Sequence, residues 1–360
     1  MKKLLLTTAI AGSALLAGNA VAQTTVSGQL DINYKAISSD KAADGISSMR
    51  GFGKEWQLNI QNKGKLNNGM DFAAGFSLEH DGTQTGTPAL DENVYMDFIS
   101  GNTTFTVGTD HIQNSDRTAA NFVGLIAEDI SNSSGGSIAA DVFLADVGAD
   151  PVQAYGFGIT HNIPGMAAIS AWYAPTKAKI DATGAAVHVG NDDQAFENTN
   201  ESAYEIGITG SFGVKGLNAH AFMNKQDKTN SATATDRDIK GYNYGLNYNF
   251  GQVTVGYNYK KTQNQLVAGT TALSTQGDIK QNEYGIAYAV SPNLTVGANY
   301  TKADAQATGS TKADAKSKSI AVGYNLGPVA LTAQAARLED YTGVSGVDAD
   351  VIFVRASTKF

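Results

Sequence analysis

The histidines are the first residues to consider for catalysis or metal binding, and their spacing favours neither. They are scattered along the chain as His80, His111, His161, His188 and His220. None belongs to a His-Glu-x-x-His pair, and the chain has no Gly-x-Ser-x-Gly elbow and no phosphate-binding loop. A hydrolytic site built from His161 or His220 with a nearby serine is the alternative. We predict that the protein is not an enzyme and has no catalytic residues, no metal and no cofactor.

Fixed charges can act on ions without any bond being made or broken. The long segment 113–153 carries a set of them: Asp116, Arg117, Glu128, Asp129, Asp141, Asp146 and Asp150. Carboxylates fixed around a water-filled passage raise the local concentration of cations and repel anions. A second acidic group, Asp192, Asp193, Glu197 and Glu201, is either a solvated surface or a holder of divalent cations. What these charges do depends on the elements that position them.

Those elements are strands with two different faces. In residues 348–360 (DADVIFVRASTKF), the positions Ile352, Val354 and Phe360 share one face, and Arg355 and Lys359 share the other. Side chains of a strand point alternately to its two sides, so a period of two indicates different surroundings on each side. Residues 24–36 show the same alternation, with a polar face as regular as the apolar one. The pattern recurs along the chain and predicts an all-β protein of about sixteen strands.

The connections between the strands alternate in length, and this separates a barrel from a soluble sandwich. Tight turns such as Asn67-Asn68-Gly69 and Gly101-Asn102 alternate with long links rich in Ser, Thr, Asp and Lys. Transmembrane β-barrels have short turns at one end, long loops at the other and an even strand count. An open sheet edge in lipid would leave backbone groups without partners, so the sheet must close. A barrel of about sixteen strands keeps an aqueous interior.

Composition agrees with an exported barrel. The chain has 39 Gly and 29 Tyr plus Phe but only 6 Pro and no Cys, which suits many strands and excludes disulfides. The net charge of −8 argues against nucleic acid as a partner. Lys2 and Lys3 precede a short apolar run that ends at Ala20-Val21-Ala22. We predict a signal peptide over residues 1–22 and a barrel domain over residues 23–360.

The third long link is the most unusual connection. Residues 119–127 combine helical spacing with Phe122, Val123, Leu125 and Ile126, and a loop exposed to water would not carry such a cluster. Folding into the barrel would bury it. Contact with the barrel rim or with a neighbouring subunit remains the alternative.

With these features the chain resembles the general porins of Gram-negative outer membranes over residues 23–360, and the long third link and the terminal Phe360 are the most specific points of likeness. The resemblance implies a homotrimer of water-filled pores in the outer membrane, in contact with lipid and lipopolysaccharide. It also implies a third extracellular loop folded into the lumen, and a Phe360 that serves the barrel-assembly machinery as a C-terminal signal. The family's acidic Pro-Glu-Phe-Gly-Gly stretch is absent, and Asn132-Ser133-Ser134-Gly135-Gly136 corresponds to it only loosely.

In the family, acidic groups on this loop face basic groups on the barrel wall, and a constriction is formed between them. Carried over to this chain, Asp116, Arg117, Glu128 and Asp129 would lie on the loop, with Glu128 and Asp129 the strongest candidates. Strand parity selects Lys35, Lys260 and Arg355 as inward cations, with Arg50 just before the second strand. The inward carboxylates by the same parity are Asp31, Glu55, Asp71, Glu79, Asp97, Asp110, Glu205 and Glu283.

This excess of inward carboxylates predicts a diffusion channel for small hydrophilic solutes with a mild preference for cations. The alternative is a substrate-selective uptake channel of similar architecture. A sugar-binding track would need inward aromatic residues, and only Phe353, Phe222 and Tyr95 have inward parity. A barrel that serves as an adhesin or scaffold is a third class.

Overall fold

The protein is a β-barrel. The computed structural model describes residues 23–39, 48–81, 90–108, 156–175, 179–180, 186–187, 202–227, 238–266, 276–307, 310–311, 314–340 and 345–360. Within these residues, no helix is long and apolar enough to cross a membrane.

In the part of the chain that the structure describes, sixteen long strands form one sheet. In chain order they are β1 (Gln23–Ser39), β2 (Met49–Lys65), β3 (Asp71–Asp81), β4 (Leu90–Ser100), β5 (Thr103–Gly108), β6 (Gly156–Ile163), β7 (Ala167–Ala174), β10 (Ala203–Gly210), β11 (Leu217–Gln226), β12 (Ile239–Asn249), β13 (Val253–Leu266), β14 (Gln276–Ser291), β15 (Leu294–Ala307), β17 (Ala315–Leu326), β18 (Val329–Glu339) and β19 (Ala349–Lys359). Three two-residue pieces complete the numbering: β8 (Lys179–Ile180) pairs with β9 (Ala186–Val187), and β16 (Ser310–Thr311) pairs with the end of β15.

The sheet closes on itself. Each long strand pairs antiparallel with the long strands before and after it, and β1 pairs with both β2 and β19. Gln29 lies opposite Lys359, and Ser39 lies opposite Ala349. Closure therefore leaves no edge strand, as a barrel in lipid requires. The predicted antiparallel barrel of sixteen strands is confirmed.

The tight connections all lie at one end of the barrel, here called the short-turn end; the opposite end is the long-link end. The turn between β2 and β3 is closed by a bond from the Gly69 amide to the Leu66 carbonyl, at 2.9 Å. Gly69 has φ +86°, which residues with a Cβ rarely adopt. The closing strands end here too, because Phe360 and Gly28 exchange backbone hydrogen bonds of 2.8 and 3.0 Å.

The two faces of the sheet separate as the alternation predicts. Outward residues are apolar and exposed, with Ile320 66% exposed and Ile352 54%. Inward residues are polar and buried, with Asn243 and Asn258 both at 0%. A soluble protein would bury the apolar face instead, so this arrangement suits a barrel surrounded by hydrocarbon.

Tyrosines mark the borders of the apolar band over β7–β17. Towards the long-link end, ring pairs run from strand to strand: Tyr244–Tyr259 at 4.7 Å between centroids, Tyr257–Tyr284 at 5.1 Å and Tyr284–Tyr300 at 6.3 Å. Tyr248 and Phe250 pack at 4.6 Å near the short-turn end. Two such borders match the aromatic girdles of transmembrane barrels.

The first two strands extend beyond the alternating residues seen in the sequence: β1 runs past residue 36 to Ser39, and β2 begins at Met49. Strands can continue past the apolar band because the sheet hydrogen bonds do not depend on lipid. The predicted signal peptide and the third long link, with its cluster Phe122, Val123, Leu125 and Ile126, lie outside the described residues.

Candidate functional site: the inner wall of the barrel

The inner wall between β2 and β5 is lined by carboxylates, amides and hydroxyls. Gln57 Nε2 donates to Glu79 Oε2 at 3.3 Å, and Thr106 Oγ1 donates to Asp97 Oδ1 at 2.6 Å. The neighbouring inward residues are polar and also hydrogen-bonded: Ser77 donates to Asn59 at 2.6 Å, and the Gln61 amide contacts the Tyr95 hydroxyl. The bonds from Gln57 and Thr106 hold the two carboxylates in place on the wall.

Open space lies in front of this wall. A recess of about 630 Å³ near the short-turn end is lined by inward residues that include Gln61, Lys63, Lys65, Asp71 and Asp97. A second recess, of about 310 Å³, adjoins it and is lined by residues that include Gln57, Asn59, Gln61, Ser77 and Tyr95. Both are open, polar and wide enough for many water molecules. This side of the interior is therefore an aqueous space.

The wall formed by β11–β14 carries a compact ionic network. Lys260 Nζ lies 2.9 Å from Glu283 Oε1, and Lys260 is only 3% exposed. Glu283 also accepts from Asn258 Nδ2 at 3.1 Å and from Gln281 Nε2 at 2.5 Å. A buried charge needs this kind of pairing and hydrogen bonding. The positive charge of Lys260 is therefore largely neutralised on the wall.

The closing strands carry a second inward ion pair. Arg355 Nη1 lies 3.7 Å from Asp31 Oδ2, and Asp31 also accepts from Gln29 Nε2 at 2.9 Å. Arg355 lies opposite Asn33 on β1, so its guanidinium reaches diagonally to Asp31. The charge of Arg355, like that of Lys260, is therefore paired with a carboxylate on the wall.

The structure places each predicted wall residue. Lys35, Lys260 and Arg355 have inward parity, as expected. Arg50 does not precede the second strand: it lies within β2 opposite Ala36, on the parity of Phe52 and Trp56, and it is exposed. That parity is the outward one, since Phe52 is among the most exposed apolar residues. Asp116, Arg117, Glu128, Asp129 and Asp110 lie outside the described residues.

One inward aromatic residue was missed by sequence reasoning. Trp172 on β7 is buried and lies opposite Gly158 on one side and Glu205 on the other. Phe222 and His220, on β11, stack at 5.6 Å with the same inward parity. Residues 167–174 are apolar on both faces, so their alternation carried no signal. The His220–Phe222 pair lies next to the ionic network, since His220 Nε2 is 2.9 Å from Asn243 Oδ1 and Asn243 lies opposite Lys260.

Phe360 lies outside the barrel at the short-turn end and is 71% exposed. Its ring crosses the backbone of Gly28, where a Cβ would lie 2.5 Å from the phenyl Cζ. The residue therefore combines an accessible ring with a backbone fixed in the closing seam.

Among the described residues, no group of three or more His, Cys, Asp or Glu side chains could hold a metal ion. The geometry defines a class of protein: a closed transmembrane barrel with a polar, partly open interior.

The comparisons identify the family. The model of the Gram-negative porin family matches residues 7–343, and the chain belongs to that family. It is therefore an integral protein of the outer membrane with the architecture of a channel. No curated protein matches the sequence.

Solved structures share the fold at low sequence identity. The anion-selective porin from Comamonas acidovorans aligns with a TM-score of 0.64 and 14% identity, covering 94% of this chain and 100% of that one. A loop-deletion mutant of OmpT from Vibrio cholerae aligns at 0.62 and 14%, covering 94% and 99%. A mutant of the Rh. blastica porin aligns at 0.55 and 14%, covering 94% and 100%.

Proposed function

We propose that the protein is a passive diffusion channel for small hydrophilic solutes and ions. The open polar space of about 630 Å³ beside β2–β5, inside a closed barrel, carries this proposal. Solutes cross it by diffusion and no bond is made or broken. The protein would act in the outer membrane as a homotrimer, in contact with lipid and lipopolysaccharide and assembled by the barrel-assembly machinery through Phe360.

We further propose a mild preference for cations. Lys260 and Arg355 are tied to Glu283 and Asp31. On β2–β5 the inward carboxylates Glu55, Asp71, Glu79 and Asp97 outnumber the inward cations Lys63 and Lys65, so the net charge of this wall is negative and cations are enriched there. Lys63 and Lys65 at the short-turn end weaken the preference without reversing it.

The third long link would narrow the passage. In this proposal Asp116, Arg117, Glu128 and Asp129 would stand on the loop, opposite Lys35 and Arg355 on the wall. Arg50 is no longer part of the proposed constriction, because its parity is outward.

Single-channel recording in planar bilayers tests the proposal. Refolded trimers should insert with three correlated conductance steps, and deletion of residues 122–129 should enlarge each step. A barrel that acts as an adhesin or scaffold would give no conductance. Steps of unchanged size after the deletion would remove the third link from the constriction.

A substrate-selective channel is the second candidate, because Trp172 and Phe222 add two aromatic rings to the inward face of the barrel. Low concentrations of a preferred solute would then block the current. A Trp172→Ala variant should relieve the block, while a general channel would show no block before or after the substitution.

A further inference from the structure

The smaller recess of the inner wall is lined by amides and hydroxyls. We call it the amide recess and define it by Gln57, Asn59, Gln61, Ser77 and Tyr95. Among the described residues that line it, none is acidic or basic, whereas the larger recess beside it carries two lysines and two aspartates. Its volume of about 310 Å³ reaches the size of small-molecule sites. An uncharged hollow of this size in a charged wall suits an uncharged solute.

The strand register places hydroxyls beside the amides of the recess. Asn59 on β2 lies between Ser27 on β1 and Ser77 on β3. Gln61, two residues along the same face of β2, lies opposite Thr25. Directly opposite side chains are about 5 Å apart, and successive inward side chains of one strand are about 6.6 Å apart. The floor of the recess is therefore a grid of amides and hydroxyls that one small solute can bridge.

A glycine and a bulge shape the far side of the recess. Gly75 on β3 lies between Gln61 on β2 and Tyr95 on β4. Next to this point two residues of β4 oppose the single residue Phe76 of β3, and such bulges re-aim side chains. Because Gly75 has no side chain, Tyr95 reaches across it, and a Cβ there would lie 3.2 Å from the Tyr95 hydroxyl oxygen. That hydroxyl contacts the Gln61 amide, so Tyr95 closes one side of the recess.

The amides of the recess are anchored by one atom and open at the other. Within the described part of the chain, Gln57, Asn59 and Gln61 each use one amide atom in a hydrogen bond on the wall. The second atom of each makes no such bond there: Asn59 Nδ2 is an open donor, and the Oε1 atoms of Gln57 and Gln61 are open acceptors. The hydroxyls of Thr25 and Ser27 can donate or accept. The recess thus presents fixed donors and acceptors to the lumen.

We propose that the amide recess binds a neutral polyol, such as a sugar or a sugar alcohol, during its passage. This inference rests on the proposed diffusion function and assigns a solute class to it. A polyol carries hydroxyls on successive carbons, and each of them both donates and accepts, which matches the mixed donors and acceptors of the recess. Its C–H groups would pack against the Tyr95 ring. An ion would give up hydration there without meeting an opposite charge.

Binding at this recess should be weak. Each hydrogen bond to the polyol replaces one to water, so the net gain per bond is small and the dissociation constant should be on the order of millimolar. Weak binding suits transport, because a solute that enters a channel must also leave it. The recess would therefore concentrate polyols near the wall without trapping them.

The test records the current through single refolded channels while a probe is added. The polyol probe is glucitol. The matched probe is triethylene glycol dimethyl ether, which has nearly the same mass but oxygens that only accept hydrogen bonds. Glucitol should reduce the current in a saturable way with a midpoint on the order of millimolar. The ether should give only the linear decrease that follows the conductivity of the bath.

Two double variants locate the site. The recess variant, Asn59→Leu with Gln61→Met, removes two amides at nearly unchanged volume. The control, Asn218→Leu with Asn299→Leu, removes two inward amides on β11 and β15. Only protein whose gel mobility shifts on heating, and which is therefore folded, is used. The recess variant should bind glucitol about tenfold more weakly than the wild type. The control should bind it like the wild type, and without polyol all three should conduct alike.

A single variant keeps the proposal testable if the recess variant does not fold. Gln61→Glu retains the shape of the side chain and its contact with Tyr95 but adds a carboxylate. It should bind the cationic amino sugar glucosamine about fivefold more tightly than the wild type does, since a hydrogen bond to a charged group is stronger. Asn299→Asp adds the same charge on β15 and should leave glucosamine binding at the wild-type level.

Three results would overturn the proposal: no saturable effect of glucitol on the wild type, equal binding of glucitol and the ether, or equal losses in the recess and control variants. Saturation-transfer NMR of glucitol with the folded protein in micelles gives a readout that needs no current. Normal conductance without binding would remove only the polyol site. Binding without conductance would remove the proposed diffusion function instead.

Discussion

At the scale of single residues, the inner wall works because its charges are tied into hydrogen-bonded groups. Glu283 accepts from Lys260, Asn258 and Gln281, which come from two strands. Strand parity was enough to predict which residues point inward, because the period of two is a property of the strand itself. It could not predict the ion pairs, since these depend on the register and on diagonal reach between strands.

Removing one partner of the buried pair should cost stability and change selectivity. Lys260→Met leaves Glu283 buried without its cation, and we expect a loss of about 3 kcal/mol in the free energy of unfolding. Cation preference, read from reversal potentials across a salt gradient, should increase. The double variant Lys260→Met with Glu283→Gln should recover most of the stability and lose the added preference. Equal stability of both variants would show that the pair is not buried in the assembled channel.

Asp227 follows the end of β11 and makes a pH-dependent contribution to the stability of the folded protein. The hydrogen bond from Lys225, with a further one from Ser202, lowers the pKa of its carboxyl group below the usual 3.8. A lowered pKa in the folded state means that the stabilisation is present above that value and is lost as the pH falls through the lowered pKa. We expect Asp227→Asn to reduce stability at neutral pH and to match the wild type in strong acid. The urea midpoint measured from neutral to about pH 2 checks this, and parallel curves would contradict it.

At the scale of elements, the alternation of apolar and polar residues predicted where the strands lie better than it predicted where they begin and end. β12 through β15 each contain a run in which apolar and polar residues alternate, and this period of two marks them as two-faced strands. β7 is apolar on both faces, so Trp172 could not be assigned to the interior. The first residues of β2 lie beyond the apolar band, where no lipid requires apolar side chains on the outward face. Their sequence therefore shows no alternation, and for this reason Arg50 was predicted to precede the strand.

The closing seam offers a sharp test of element packing. A Cβ on Gly28 would lie 2.5 Å from the Phe360 ring and 2.8 Å from the Gln57 carbonyl oxygen, which is backbone and cannot move aside. Gly28→Ala should therefore lower the folded fraction and the unfolding midpoint, by about 1–3 kcal/mol for an overpacked site.

Gly51→Ala is the matched control, since a Cβ at Gly51 meets nothing within 4 Å. It should fold with wild-type yield. Folded yield is measured by heat-dependent gel mobility after refolding into detergent. If both variants fold equally well, the seam tolerates the added methyl group and the contact does not limit closure.

At the scale of the whole molecule, charge distribution links structure to transport. The inward carboxylates of the β2–β5 wall outnumber its inward cations, while Lys260 and Arg355 are paired with Glu283 and Asp31. We expect Asp97→Asn combined with Glu79→Gln to abolish the cation preference without changing the conductance in concentrated salt, where charges are screened. Reversal potentials in dilute salt measure the change. A preference that persisted in the double variant would move its source to the third link.

The family, the class of fold and the two-faced strands could all be predicted from sequence, because lipid requires apolar side chains on the outward face of every membrane-spanning strand. The proposed constriction could not be predicted in detail, because it would depend on the position of the third long link, which neither periodicity nor spacing describes. On the described wall, Lys35 and Arg355 have the predicted inward parity and Arg50 does not.

The seam between β1 and β19 also bears on how the chain folds. The first strand after residue 22 is hydrogen-bonded to the last strand of the sequence, so the earliest and latest parts of the polypeptide complete each other. Contacts of such high sequence separation make folding slow. Until the final eleven residues of β19 arrive, every intermediate sheet has two unsatisfied margins, and a chain cut short by even that one strand has no way to seal itself.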